Sequence, residues 1–540
     1  MPKMDTPNSW RATPGVNASG KCFSILPLDR PVSMRKKQMT LAHEIRRRIA
    51  DLCSRFDRER FSEPRFLLSA VFLGSLFLSL IASLNQPMVG RDAALYLSIS
   101  LDPSISDISS AMKRFNWPWY PLWIRFVSGA SGLSPEIVAR LFCEFMTAFA
   151  CLLAVDIVRR KRPDLAAWAV LIVLSIPAFN EYRGEILREN GFWCFSLLSL
   201  WLMYVMEGAR LVSRMAAVCL CVILAAAFRL EAAYLFLVFA MTEFSRIQGK
   251  ILKIGVIAGG LILAITILFL LSHRGLLSEG RISSFVNYID PEEIYRSFSV
   301  FTQYAALKMP KFSYKDTNLI FFIGLCGYLV VKIISALGVF SLPWALSLRS
   351  SGKLRSLLLD PMVVAAIGYG VILLAFLIGR LFLSGRYVSF LGFLLFPGVC
   401  VGVQYISRRW PKSSMPIILL CAILALANVV SLSEPKTFIR DASAWIANNL
   451  PRKAHVYFED DRIRHYAGRE YPIEVIDREK ALAMQGDEAY EYFVLNCRPD
   501  SLVEQMHKEG WRLLQDFREG GCVMIFHRDQ SVLPEREIAP

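Results

Sequence analysis

Histidine is scarce, with six in 540 residues. Four of these (His455, His465, His507, His527) are scattered over the last hundred positions, a spacing expected of surface or satisfied core residues. No Cys-x-x-Cys pair occurs among the 12 Cys, which argues against zinc and iron–sulfur sites. Eight Cys (143, 151, 194, 219, 221, 326, 400 and 421) lie inside apolar runs, where a thiol behaves as a small hydrophobe. The chain has neither a glycine-rich phosphate loop nor a nucleophile elbow in its polar C-terminal stretch. It shows no internal repeat and no low-complexity tract. No basic stripe is interleaved with base-stacking aromatics. The excess of 61 Lys and Arg over 46 Asp and Glu, a net charge of +15, is therefore not the footprint of a nucleic-acid groove.

What the chain does have is apolar length. It is 54% hydrophobic with a mean hydropathy of +0.40, too apolar for a soluble globular protein. A span needs about 20 mostly apolar residues. Candidates stand near 65–84, 136–157, 165–180, 191–206, 211–229, 230–245, 252–272, 318–346, 361–382, 387–406 and 415–433, about eleven in all. The basic residues lie between these runs in alternation: Arg159-Arg160-Lys161-Arg162, then Arg210 and Arg214, Arg246 with Lys250 and Lys253, Arg349 with Lys353 and Arg355, and Arg408-Arg409 with Lys412. Lys and Arg collect on the cytoplasmic side of membrane proteins. The pattern predicts an α-helical polytopic membrane protein in three parts. Residues 1–64 form a basic cytoplasmic tail, with no apolar run and cleavage site of a signal peptide. Residues 65–433 form the transmembrane part, and residues 434–540 an extracytoplasmic domain.

That last part reads as a small α/β domain. Helices are expected near 437–449, 460–467, 478–484 and 500–509, strands near 454–459, 472–476 and 490–496, and a hairpin near 511–527. Cys497 and Cys522 both fall here and could pair in an oxidising compartment.

The unusual residues gather in the loops assigned to the outer side. Gly90-Arg91-Asp92 follows the first span. A carboxylate leaving bulk water disfavours its own charge, so Asp92 is either paired with Arg91 or reactive. Trp117-Pro118-Trp119-Tyr120-Pro121-Leu122-Trp123 is too short to span and suits a re-entrant or interfacial helix. In the loop 180–190, Glu185, Arg188 and Glu189 are spaced to pair on a helix or to set a second carboxylate opposite Asp92. Arg229 and Glu231 occupy a turn almost too short to leave the bilayer. Arg140 and Glu144, one turn apart in a span, are expected to form an internal salt bridge. Arg274, Arg281, Lys308, Lys311 and Arg386-Tyr387 bring cations to outer loops, where a phosphate headgroup would need them.

Four segments resemble the C-type glycosyltransferase superfamily (GT-C), in its protein O-mannosyltransferase and lipid A aminoarabinose-transferase-like branch. "GRDAALYL" resembles the acidic first-loop motif, "WPWYPLWIRF" the re-entrant helix, "YRGEILRENGFW" the segment leading into the fourth span, and "SGRYVSF" the late Arg-Tyr motif. The likeness covers roughly residues 65–410. It implies transfer of a sugar from a polyprenyl-phosphate donor to a lipid, glycan or protein acceptor on the outer face, with inversion. Asp92, Glu189 and Glu185 are then the catalytic carboxylates. Arg386, Tyr387, Arg274, Arg281, Lys308 and Lys311 bind the donor phosphate, and Arg91, Tyr96, Arg183, Arg188 and Arg229 line the cavity. The family's Asp-Glu pair is Asp92-Ala93 here, which weakens a hard-cation site; Mg or Mn is allowed but not required. A transporter or flippase is the alternative, as is an O-antigen polymerase or ligase. The first calls for a repeat and mid-membrane charges, the second for no acidic motif straight after the first span.

Overall fold

The computed structural model describes residues 63–86, 88–105, 107–246, 290–350, 360–430, 437–470, 476–484, 489–496, 501–518 and 521–528. Among these, six helices are long and apolar enough to cross a membrane. They include α1 (Pro64–Asn85), α5 (Pro135–Lys161), α9 (Leu211–Phe228), α14 (Pro361–Arg380) and α15 (Gly385–Arg409). The sixth runs through α12 (Thr317–Leu337) and α13 (Ser341–Ser350), bent where Gly338 takes a left-handed φ of 56°. Shorter helices fill the places between them. These are α2 (Arg91–Leu101), α3 (Ile108–Arg114), α4 (Trp119–Ser131), α6 (Ala166–Val173), α7 (Pro177–Asn180), α8 (Glu189–Val205), α10 (Tyr234–Arg246), α11 (Pro291–Ala306) and α16 (Ser414–Ala427).

The expected spans at 165–180, 191–206, 230–245 and 415–433 therefore fold as shorter helices, and 252–272 lies outside the described residues. Pro177 splits 165–180 into α6 and α7, because a proline ring cannot continue the preceding turn. The 17 residues of α8 are mostly buried among neighbours, so they need not match the bilayer thickness.

The long helices begin and end where their sequences say. Ser134 caps α5 by accepting from the Ile137 N–H at 3.4 Å, Pro135 opens it, and Arg159-Arg160-Lys161 close it. That order satisfies free N–H groups first and complements the helix dipole last. Helix α15 likewise ends on Arg408-Arg409. The basic ends of α5 and α15 meet at Asp164, which accepts from Arg162, Gln404 and Arg408, each at 3.0 Å. Lys161 pairs with Asp360 at the start of α14.

Close packing ties the bundle together. The rings of Phe179 and Phe393 stack with centroids 3.6 Å apart. A Cβ on Gly402 would lie 1.8 Å from the Pro343 carbonyl oxygen, so α13 and α15 can cross this closely only with glycine there. A Cβ on Gly191 would meet the Phe228 ring at 2.7 Å. The expected Arg140–Glu144 bridge does not form. Arg140 donates to Glu136 at 3.0 and 2.8 Å, and Glu144 accepts from Ser83 of α1 at 2.8 Å. Both choices satisfy i,i+4 geometry, and the partner on the facing helix decides between them.

The C-terminal part is an α/β unit with α17 (Thr437–Asn449), β1 (Val456–Phe458), α18 (Asp461–Tyr466), α19 (Arg478–Ala483), β2 (Tyr492–Asn496), α20 (Ser501–Lys508), β3 (Trp511–Phe517) and β4 (Val523–Arg528). The sheet order is β1-β2-β4-β3, with β1 parallel to β2 and the other pairs antiparallel. Period-2 alternation divides its core in two. Val494, Val523 and Ile525 face α17, while Phe493, Leu495, Met524 and Phe526 pack with Met506 and Trp511. Cys522 is disulfide-bonded; Cys497 and the expected strand at 472–476 lie outside the described residues.

Candidate active site

Three helix N-termini converge at the end of the bundle remote from the basic helix ends. Asp92 sits in the first turn of α2, Glu189 opens α8, and Arg386 is the second residue of α15. Carboxylates are favoured at helix N-termini by the free N–H groups and the dipole, whereas a guanidinium there needs anions to hold it. It has them. The Asp92 carboxylate accepts from Arg386 Nη1, and Arg386 Nε lies 3.8 Å from Glu189 Oε1.

The chain of charges continues inward. Arg229 Nη1 donates to Glu189 at 3.0 Å, and Nη2 donates to Glu231 at 2.6 Å. Arg229 and Glu189 are 5% and 3% exposed at their side chains, so neither has water to fall back on. The Tyr387 ring completes this arrangement, 4.2 Å from the Arg229 guanidinium carbon and 5.5 Å from that of Arg386. Gly191 allows it, since only a residue without a side chain lets Phe228, and with it Arg229, approach α8 so closely.

Asp92, Arg91, Glu185 and Arg386 line a cavity of about 150 Å³, together with Gly90, Ala93, Ile186 and Leu187. Glu185 stands on the loop before α8. Burial pushes its carboxyl above the usual range; Arg386 opposes this, and Asp92 and Glu189 add to it. Tyr96 is buried against Tyr120, ring centroids 5.3 Å apart.

Arg188 is 7% exposed and lies 5.5 Å over the Phe115 ring. Its Nε and Nη1 have no hydrogen-bond partner among the described residues. Buried guanidinium donors left unmet are costly; Arg188 itself, like Tyr96 and Arg229, is not among the residues lining the cavity.

The remaining expected site residues lie elsewhere. Arg183 is fully engaged with the bundle. It donates to Asn180 at 2.6 Å, to the Ser75 carbonyl and hydroxyl at 3.0 and 2.7 Å, and to Ser79 at 3.1 Å. It fastens the loop before α8 to α1 and does not line the cavity. Lys308 and Lys311 are exposed in the turn between α11 and α12 and do not line it either. Arg274 and Arg281 lie outside the described residues.

The expected local pairing of Arg91 with Asp92 gives way to long-range partners. Asp92 takes Arg386, while Arg91 reaches Asp460 of the C-terminal domain at 3.4 Å. Sequence reading missed Asp460 and Tyr466, whose Oη accepts from the Val89 N–H at 3.0 Å. It also missed Tyr182, which packs so tightly on Gly385 that a Cβ there would lie 2.5 Å from its Oη. Tyr182 opens the YRGEILRENGFW segment and Asp460 stands in the charged run 459–462, but their partners are far away in sequence, so spacing alone did not mark them.

The described residues of the site do not fit a divalent cation. Among the described residues no three His, Cys, Asp or Glu side chains gather to hold one. Guanidinium groups already stand where a metal would, Arg386 against Asp92 and Arg229 against Glu189.

No protein-family model matches the chain, and no curated protein matches its sequence. Solved structures do. The chain is similar to ArnT from Cupriavidus metallidurans in the apo state, with 14% identity and a TM-score of 0.43 over 85% of this chain and 97% of that one. It is similar also to the same protein bound to undecaprenyl phosphate, with 14% identity and a TM-score of 0.49 over 87% and 99%.

Proposed function

We propose that this chain is a GT-C-type membrane glycosyltransferase. It takes a sugar from a polyprenyl-phosphate donor and passes it to a lipid, glycan or protein acceptor at the outer face of a bacterial-type inner membrane. The observation that carries the reading is the run of alternating charge Asp92–Arg386–Glu189–Arg229–Glu231, whose first two members line the cavity while the rest lead inward from it. The opposite end of α15 holds a basic cluster, beside the basic end of α5. Basic ends mark the cytoplasmic side, which supports a cavity and C-terminal domain outside and an N-terminus inside. No nucleotide sugar is available there, so the activated sugar arrives on lipid.

The geometry gives each group a task. The donor phosphate competes with Asp92 for Arg386, because a guanidinium fork suits phosphate oxygens. As Arg386 turns to the phosphate, Asp92 is released beside the anomeric carbon. Its carboxylate takes the proton of the acceptor hydroxyl while that oxygen forms its bond to the anomeric carbon. The bond from the anomeric carbon to the phosphate oxygen breaks on the opposite face, giving inversion. The electron pair leaves with the polyprenyl phosphate, whose added charge Arg386 and Arg188 stabilise. Glu189, locked by Arg229, holds Arg386 in line. Glu185, on the cavity wall, stands where it can hydrogen-bond a sugar hydroxyl.

The test is transfer in proteoliposomes from radiolabelled polyprenyl-phosphate sugars, joined to mass spectrometry of lipids and glycoproteins from cells with and without the gene. Wild type should release polyprenyl phosphate and label one acceptor class, and Arg386→Ala should raise the donor KM. Identical lipid and glycoprotein profiles in both cells, with no sugar released from any donor, would reject the reading.

A further inference from the structure

The segment that carries Asp92 is anchored by a part of the chain almost four hundred residues away. Between the end of α1 and the start of α2, Met88 packs against the core formed by α17, α18 and the sheet. The Val89 N–H donates to Tyr466 Oη at 3.0 Å, a bond between residues 377 apart. Arg91 Nη2 donates to Asp460 Oδ2 at 3.4 Å, across 369 positions. Asp92 is the next residue.

The anchor itself is rigid. The Asp460 side chain is 1% exposed. It caps α18 by accepting from the Arg462 backbone N–H at 3.0 Å, and its two oxygens also take Arg462 Nε at 2.9 Å and Nη2 at 2.6 Å. A carboxylate held by three bonds from one neighbour has no rotamer freedom left to lose when Arg91 docks on it. The lead-in to α2, by contrast, lies outside any helix or strand. Val89, Arg91 and Met88 give it contacts to the C-terminal domain immediately before the catalytic carboxylate.

We propose that Asp460 and Tyr466 are positioning residues: the C-terminal domain, through the N-cap of α18 and its last residue, sets where Asp92 stands. This rests on the glycosyltransferase reading. It adds that the soluble domain acts on the chemical step and not only as an acceptor-facing cover. A misplacement of about 1 Å in a reacting group costs on the order of a hundredfold in rate, so a strap this close to Asp92 acts on turnover. It should leave the donor phosphate contacts of Arg386 in place.

The experiment uses the full chain in lipid nanodiscs. In the double variant Arg91→Gln/Tyr466→Phe both polar straps are cut while the Asp460–Arg462 hub and both cores stay intact. The kcat should fall about tenfold or more; because Arg91 itself lines the cavity, the donor KM is read in Asp460→Asn, where it should stay within about twofold of wild type. Hydrogen exchange in a peptide covering residues 88–97 should speed up, while peptides from α5 and α15 stay unchanged. Asp460→Asn should give the same exchange pattern, and adding Arg91→Gln to it should cost no further rate, because Arg91 acts through Asp460. Arg91→Lys should recover part of the loss of Arg91→Gln. Wild-type kcat in the double variant, or unchanged exchange over 88–97, would overturn the proposal. A fall in thermal stability with kcat intact would also overturn it, since the straps would then only hold two domains together. If no donor is turned over by wild type, the function fails while the exchange comparison still decides the anchoring.

Discussion

Replacing Arg229 with methionine removes one charge and little volume, and the structure sets the size of the effect. The guanidinium is 5% exposed and bridges Glu189 at 3.0 Å and Glu231 at 2.6 Å. At an effective dielectric of about 20, each contact is worth about 6 kcal/mol of attraction before desolvation is charged against it. Burial returns most of that sum. What governs the variant is the pair of carboxylates left behind, and stranding one partner of a buried ion pair costs about 3–5 kcal/mol. Glu189 keeps Arg386 at 3.8 Å, which places Arg229→Met near the lower figure, about 3 kcal/mol. Denaturant titration of the detergent-solubilised protein, followed by tryptophan fluorescence, reads this directly. The companion variant Arg229→Met/Glu231→Gln removes one stranded charge and should recover part of the loss. Stability within about 0.5 kcal/mol of wild type, the range of an ordinary surface substitution, would refute the reasoning, because it would mean these carboxylates are not buried and paired.

Three further outcomes are expected. Gly402→Ala forces a Cβ to within 1.8 Å of the Pro343 carbonyl oxygen. Backbone cannot yield as a side chain can, so the variant should fail to accumulate in membranes, whereas Gly370→Ala, which meets nothing within 4 Å, should accumulate normally. Arg183→Met strips the buried hydrogen bonds to Ser75, Ser79 and Asn180 and should lower unfolding stability by about 2 kcal/mol or more, with donor KM unchanged in the protein that folds. In the C-terminal domain, burial holds the His465 imidazole below its ordinary pKa, against a smaller opposing pull from Glu136. The unfolded chain then binds the proton more tightly, so this stabilisation is full above about pH 6.5 and is lost as pH falls below it. Asp460 follows in stronger acid. Burial raises its pKa, but the hydrogen bonds and charge of Arg462, with Arg91, lower it further, leaving it depressed. Its contribution persists above about pH 4 and disappears below the lowered value. Thermal unfolding between pH 7.5 and 5 should show a decline that His465→Gln flattens; an unchanged slope in that variant would assign the decline to another group.

Local rules made much of the fold legible. Alternating apolar positions and end signals placed a helix near 437–449 and a strand near 490–496, where α17 and β2 stand as Thr437–Asn449 and Tyr492–Asn496. The apolar run expected near 136–157 lies within α5, which continues to Lys161 through the basic cluster expected in the following loop. Legibility stopped where one helix chooses its partner on another. Arg140 prefers Glu136 because Ser83 of α1 takes Glu144. Arg183 and Arg188 share one loop and one residue type, yet the first is consumed by α1 while the second keeps unmet donors. Nothing in their spacing separates them. The neighbours Arg91 and Asp92 point to different domains, since adjacent residues in a helix face about 100° apart. Asp460 and Tyr466 carry no motif, and only the folded chain shows that they reach residues 89 and 91.

The central claim is that Asp92, held by Arg386 until a phosphate displaces it, is the base of a sugar transfer. The most direct measurement is single-turnover transfer by Asp92→Asn in proteoliposomes, alongside direct binding of the polyprenyl-phosphate donor. The account predicts a chemical step slowed by about 10²–10⁴-fold, with donor bound as tightly as by wild type or more so, because Arg386 no longer has a carboxylate to give up. A single-turnover rate within about twofold of wild type, or a slow rate explained wholly by lost donor binding, would contradict it.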